Sequence, residues 1–79
     1  MSTNSRTTRV VRTYAMDLAI GDVIVNEDRD PVGRVESVPL IEGDGYVTFH
    51  LFNYETSVIE VKTWADTRVV RIQIERRTS

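Results

Sequence analysis

Seventy-nine residues without a cysteine make one small domain with a compact core, and they exclude disulfide staples, thiolate metal sites and redox chemistry at sulfur. No stretch approaches the roughly 18 consecutive apolar residues of a membrane span, and the polar start of the chain lacks the apolar core of a secretion signal, so a cytoplasmic chain without membrane contact is expected. The net charge of -2 hides an uneven distribution, since residues 1–12 hold Arg6, Arg9 and Arg12 without an acid, residues 13–67 hold three bases against eleven acids, and residues 68–79 hold four arginines against Glu75.

In chain order, residues 1–7 have nothing to bury and read as a disordered tail, residues 8–76 as the single domain, and residues 77–79 as a second short tail. Val10, Val11 and Tyr14 among threonines predict a first strand over 8–15. Residues 17–22 are too few for a helix and read as a loop in which Leu18 and Ile20 plug one end of the core. Val23, Ile24 and Val25 form a short strand, followed by a charged hairpin loop up to Pro31. The next segment, 33–41, breaks its alternation, because Val35 and Val38 lie an odd number apart; this predicts a bulge near Glu36 and Ser37 or a bend at Pro39.

Asp44 and Gly45 then supply the strongest turn signal, and it leads directly into the longest clean strand. There Val47, Phe49 and Leu51 share one face, while Tyr46, Thr48, His50, Phe52 and Tyr54 share the other. A turn over 53–56 precedes a strand over 57–64, in which Ile59 and Val61 face away from Val58, Glu60 and Lys62. Ala65, Asp66 and Thr67 suit a single 3₁₀ turn. In the last strand Val70, Ile72 and Ile74 face inward, with Val69, Arg71, Gln73 and Glu75 outward.

The run from Leu18 to Ile24, the restart at Gly33, Arg34 and Val35, the Asp44 and Gly45 hairpin, and Ala65 to Thr67 before the last strand together resemble an SH3-like small barrel. The resemblance implies an all-β fold of five to six antiparallel strands with a short 3₁₀ turn before the last one. It also implies binding of protein or nucleic acid rather than catalysis. Size and style resemble the small accessory proteins of bacteriophages, which implies a phage accessory or host-directed factor.

The residues themselves argue against a catalytic or metal role. His50 is the sole histidine, and its same-face neighbours Thr48 and Phe52 offer neither an orienting carboxylate nor a nucleophile. Glu27, Asp28 and Asp30 in one loop and Glu42 and Asp44 in another do not match a calcium loop, although tips that met would form an acidic patch for a basic partner. No catalytic residue, metal or cofactor is therefore expected.

Two binding readings remain. In the first, Tyr46, Phe52, Tyr54 and Trp64 form an aromatic recognition surface for a protein partner, unless the extra N-terminal strand covers them through Val10, Val11 and Tyr14. In the second, Arg9, Arg12, Arg68, Arg71, Arg76 and Arg77 contact phosphates and the same aromatics stack on bases. The nine arginines to one lysine fit bidentate anion recognition, or reflect genomic composition. An exposed strand edge would also allow a homodimer.

Overall fold

Period-2 alternation punctuated by glycine, asparagine and proline turns gives, among the described residues, seven strands and one 3₁₀ turn. The structure, a computed structural model, describes residues 5–78, with side chains described over 9–74. In order come β1 (Ser5–Tyr14), the 3₁₀ turn (Ala15–Asp17), β2 (Val23–Val25), β3 (Pro31–Val35), β4 (Leu40–Ile41), β5 (Tyr46–Asn53), β6 (Val58–Ala65) and β7 (Val69–Thr78). All pairings are antiparallel. The sheet runs β1, β7, β2, β3, β5, with β4 following β3 along one edge of β5 and β6 on the other.

The expected closed barrel does not form. Among the described residues no pairing joins β6 to β1 or β7, so the curled sheet stays open with β1 and β6 as its long edges and the two-residue β4, paired only with β5, as a short third one. The strand count rises to seven because the segment over 33–41 divides into β3 and β4. Pairing passes from Val35 with Leu51 to Leu40 with Thr48, five steps on one side against three on the other, which is the bulge the broken alternation predicts. Inside it the Glu36 N–H donates to the His50 carbonyl, while Ser37 Oγ accepts the His50 N–H at 2.8 Å.

The 3₁₀ turn also lies elsewhere than expected. It follows β1, where the Leu18 N–H reaches the Ala15 carbonyl. The connector before β7 closes with one bond from the Arg68 N–H to the Ala65 carbonyl, a β-turn that needs no 3₁₀ segment. Of the two apolar residues expected to plug the core, Leu18 does so at 4% exposure, whereas Ile20 is 63% exposed.

The core comes from the alternations already described. Val47, Phe49 and Leu51 of β5 meet Val70 and Ile72 of β7, with Ile24, Val35, Ala15 and Leu18 completing the cluster. Residues of β5 and β7 share one buried cluster although the sheet does not close, because the sheet curls its inner face around it. Beyond the two positions where β2 pairs with β7, β1 and β7 continue as a two-stranded ribbon, consistent with a long axis of 52 Å. No helix among the described residues is long and apolar enough to cross a membrane.

Candidate interaction surface

The turn after β5 sets the register that builds the outer face. Asn53 Oδ1 accepts the backbone N–H groups of Glu55 and Thr56, and the Ser57 N–H closes on the Asn53 carbonyl, with Ser57 at a positive φ of 58°. This aligns Asn53 with Val58 and carries the ladder back to Tyr46 opposite Ala65. Directly opposed residues point to the same side. Phe52 therefore lies beside Ile59, His50 beside Val61 and Thr48 beside Thr63, all on the face away from the core.

On the other side of β5, Arg34 adjoins Phe52 and Leu40 adjoins Thr48, so the outer face extends across three neighbouring strand paths. Arg34 stacks over the Phe52 ring at 5.5 Å while its guanidinium bonds Glu36, a contact that raises the arginine pKa. Phe52 and Tyr54 meet edge to face at 5.9 Å. Ile59 and Val61 remain 54% and 64% exposed, and Tyr46, Tyr54 and Leu40 are exposed around them. The N-terminal strand does not cover this face, because β1 pairs with β7 at the opposite edge of the sheet.

Trp64 stands apart from the other three aromatics. It opposes Val47, so it shares the core-facing side, packs edge to face on Phe49 at 5.0 Å and carries the Arg68 guanidinium 4.2 Å above its ring. The structure thus brings Phe52 and Tyr54 together, leaves Tyr46 on the same face at the far end of β5, and places Trp64 on the opposite face. Reasoning from sequence missed Ile59, Val61 and Leu40 as members of the face. Counting outward from the turn at residues 53–58 would have assigned the two β6 residues, since the antiparallel register follows from where that turn closes.

The arginines divide likewise. Arg12 and Arg71 are cross-strand partners on one side of the ribbon, and with Arg68 they line a groove between β7 and the end of β2. Arg29, not singled out from the sequence, joins Arg12 and Arg71 around a smaller recess beside Glu27. Arg9 sits three residues from Arg12 and so projects to the other side of its strand. The side chains of Arg76 and Arg77 lie outside the described residues.

The acidic loops do not meet. Because Gly33 pairs with Asn53 and Ile41 with Val47, the hairpin over 26–30 lies toward one end of β5 and the hairpin over 42–45 lies at the other. An eight-residue strand separates them by about 25 Å. Among the described residues no three acidic or imidazole side chains gather as metal ligands. Ser37 Oγ accepts the backbone N–H of His50 and does not engage its ring. Comparison with protein-family models, with curated proteins and with solved structures finds no match for this chain.

Proposed function

We propose that this chain is a non-enzymatic protein–protein interaction module whose docking surface is the outer face of β5 and β6. One observation carries the reading: a full-length edge strand presents exposed Ile59 and Val61 beside Phe52 and Tyr54 instead of hiding them. Contiguous exposed apolar surface on a small domain marks an interaction site. A free edge adds main-chain hydrogen bonding to the same site, the combination used in strand addition. Tyr46, Phe52 and Tyr54 are the aromatic anchors, and Trp64 supports them from the core side. In this reading the open sheet is a relative of the SH3-like barrel that keeps its last edge free for a partner.

A second reading is favoured by the cross-strand placement of Arg12 and Arg71 with Arg68 and Arg29 around the adjoining grooves, an arrangement suited to phosphate oxygens. Two titrations separate the readings. For a protein partner recovered from the native cell and then purified, affinity should survive moderate salt and fall by about 2 kcal/mol when Phe52 or Tyr54 becomes alanine in a folded variant. Labelled DNA and RNA oligonucleotides at low salt should show no binding. Binding that declines log-linearly with salt and is lost in Arg12→Glu with Arg71→Glu would replace the first reading with the second.

A further inference from the structure

The partner chemistry of β6 is legible in the direction of its backbone groups. The Asp66 N–H donates to the Gly45 carbonyl, extending the ladder in which Tyr46 opposes Ala65. Hydrogen-bonded pairs alternate along an antiparallel ladder, so Trp64, Lys62 and Glu60 turn their backbone groups toward β5. The opposite edge of β5 agrees, since Glu36 bonds the His50 carbonyl and Tyr54 bonds the Val32 carbonyl, which leaves the odd-numbered residues of β5 for β6. Ile59, Val61 and Thr63 therefore direct both N–H and C=O off the free edge of the sheet.

Two of the usual guards of an edge strand, proline and a bulge, are missing from β6, and a third, inward-facing charge, is present in a form that a strand of matching charge can answer. Its charges are Glu60 and Lys62, of opposite sign and two residues apart on the core-facing side. They already pair within the strand at 3.0 Å. Placed antiparallel against itself about Val61, this strand sets Val61 opposite its own copy, Ile59 opposite Thr63, and Glu60 opposite Lys62 on both sides of the axis. The self-opposed Val61 pair and the two Ile59 and Thr63 pairs are the ones whose backbone groups point outward. The charged residues fall at the closer, non-hydrogen-bonded positions, where opposite signs attract and like signs repel. The other long edge has no such match, because β1 carries Arg6, Arg9 and Arg12 and no acid, and β4 is only two residues long.

We infer that the occupant of the β6 edge is β6 of a second copy, paired antiparallel about a two-fold axis at Val61 with Glu60 of each chain against Lys62 of the other. The inference rests on reading β5 and β6 as the docking surface and deepens it. Pairing in this register continues the sheet across the axis and joins two outer faces, so Phe52, Ile59 and Val61 of both copies form one larger apolar surface. The contact is isologous, so every favourable or unfavourable charge pair occurs twice.

The test is the oligomeric mass by light scattering from roughly 5 to 500 µM, bracketing a weak dimer of small interface. The unmutated chain should shift from monomer to dimer. Glu60→Lys and Lys62→Glu should each weaken the dimer by about tenfold, since each places like charges opposite one another twice. An equimolar mixture of the two variants, and the double variant Glu60→Lys with Lys62→Glu, should both recover dimer, because only the opposed signs matter in this register. Val61→Pro provides a variant that spares the Glu60 and Lys62 contacts: its lost N–H points off the sheet, so circular dichroism should remain native while the dimer is lost.

A monomeric mass for the unmutated chain throughout, full dimerisation of Val61→Pro, or failure of the mixture and the double variant to recover would each overturn the inference. The docking-surface reading fails on a different result. It would fall if a purified protein partner bound equally well after truncation of Phe52, Tyr54 and Ile59, whatever the mass of the chain alone.

Discussion

Gly33 shows how one residue permits the sheet to curl. It is buried in β3, and a Cβ there would sit 2.8 Å from the Phe52 carbonyl oxygen and 3.0 Å from the Leu51 side chain. The carbonyl is backbone and cannot swing aside, so Gly33→Ala must push β3 away from β5. Chemical denaturation should show a loss of about 1 to 3 kcal/mol, the usual cost of overpacking. An unchanged midpoint would mean that β3 and β5 do not approach this closely. Because Phe52 is displaced directly, the outer face should loosen with the fold.

At the scale of elements, β6 is fastened to the turn before it through side chains as well as backbone. Asn53 Nδ2 donates to Glu60 Oε2 at 3.3 Å while Lys62 holds Oε1. The Lys62 hydrogen bond and then that of Asn53 lower the Glu60 pKa. A carboxyl depressed in the folded state contributes stability that is present above its unfolded pKa, near 4.3, and is lost as pH falls through the folded value. Between roughly pH 5 and 3, Glu60→Gln should lose stability less steeply than the unmutated protein in urea titrations. Identical slopes would show that Glu60 is not held by Lys62 and Asn53.

Most strands were legible because turn residues and alternation agreed. The segment from Asp44 to Asn53 satisfied both, and its inward triplet is the centre of the core. The slip between Val35 and Val38 located the bulge without showing that it splits the strand. Two features were hidden for a common reason: they depend on which strands pair. Alternation separates Ile59 and Val61 from Glu60, Lys62 and Trp64 but leaves open which set meets solvent. Closure was likewise not encoded locally, since an edge strand and a central strand both read as alternating β-branched residues.

For the molecule as a whole, the decisive property is the asymmetry of its two long edges. One edge, β1, carries arginines that repel a second copy; the other, β6, offers outward backbone groups, exposed aliphatics and self-complementary charges. The core is small, built on Phe49, Val35 and Val47 as its largest fully buried side chains, and it leaves substantial apolar surface uncovered. Docking of a strand on β6 would satisfy backbone groups that water must otherwise bond. Amide hydrogen exchange along β6, followed by nuclear magnetic resonance in dilute and concentrated samples, tests this most directly. The amides of Glu60, Lys62 and Trp64 should be protected at both concentrations, while those of Ile59, Val61 and Thr63 exchange rapidly when dilute and become protected when concentrated. Rapid exchange of Ile59, Val61 and Thr63 at every concentration, or protection with no alternation between odd and even residues, would contradict the account.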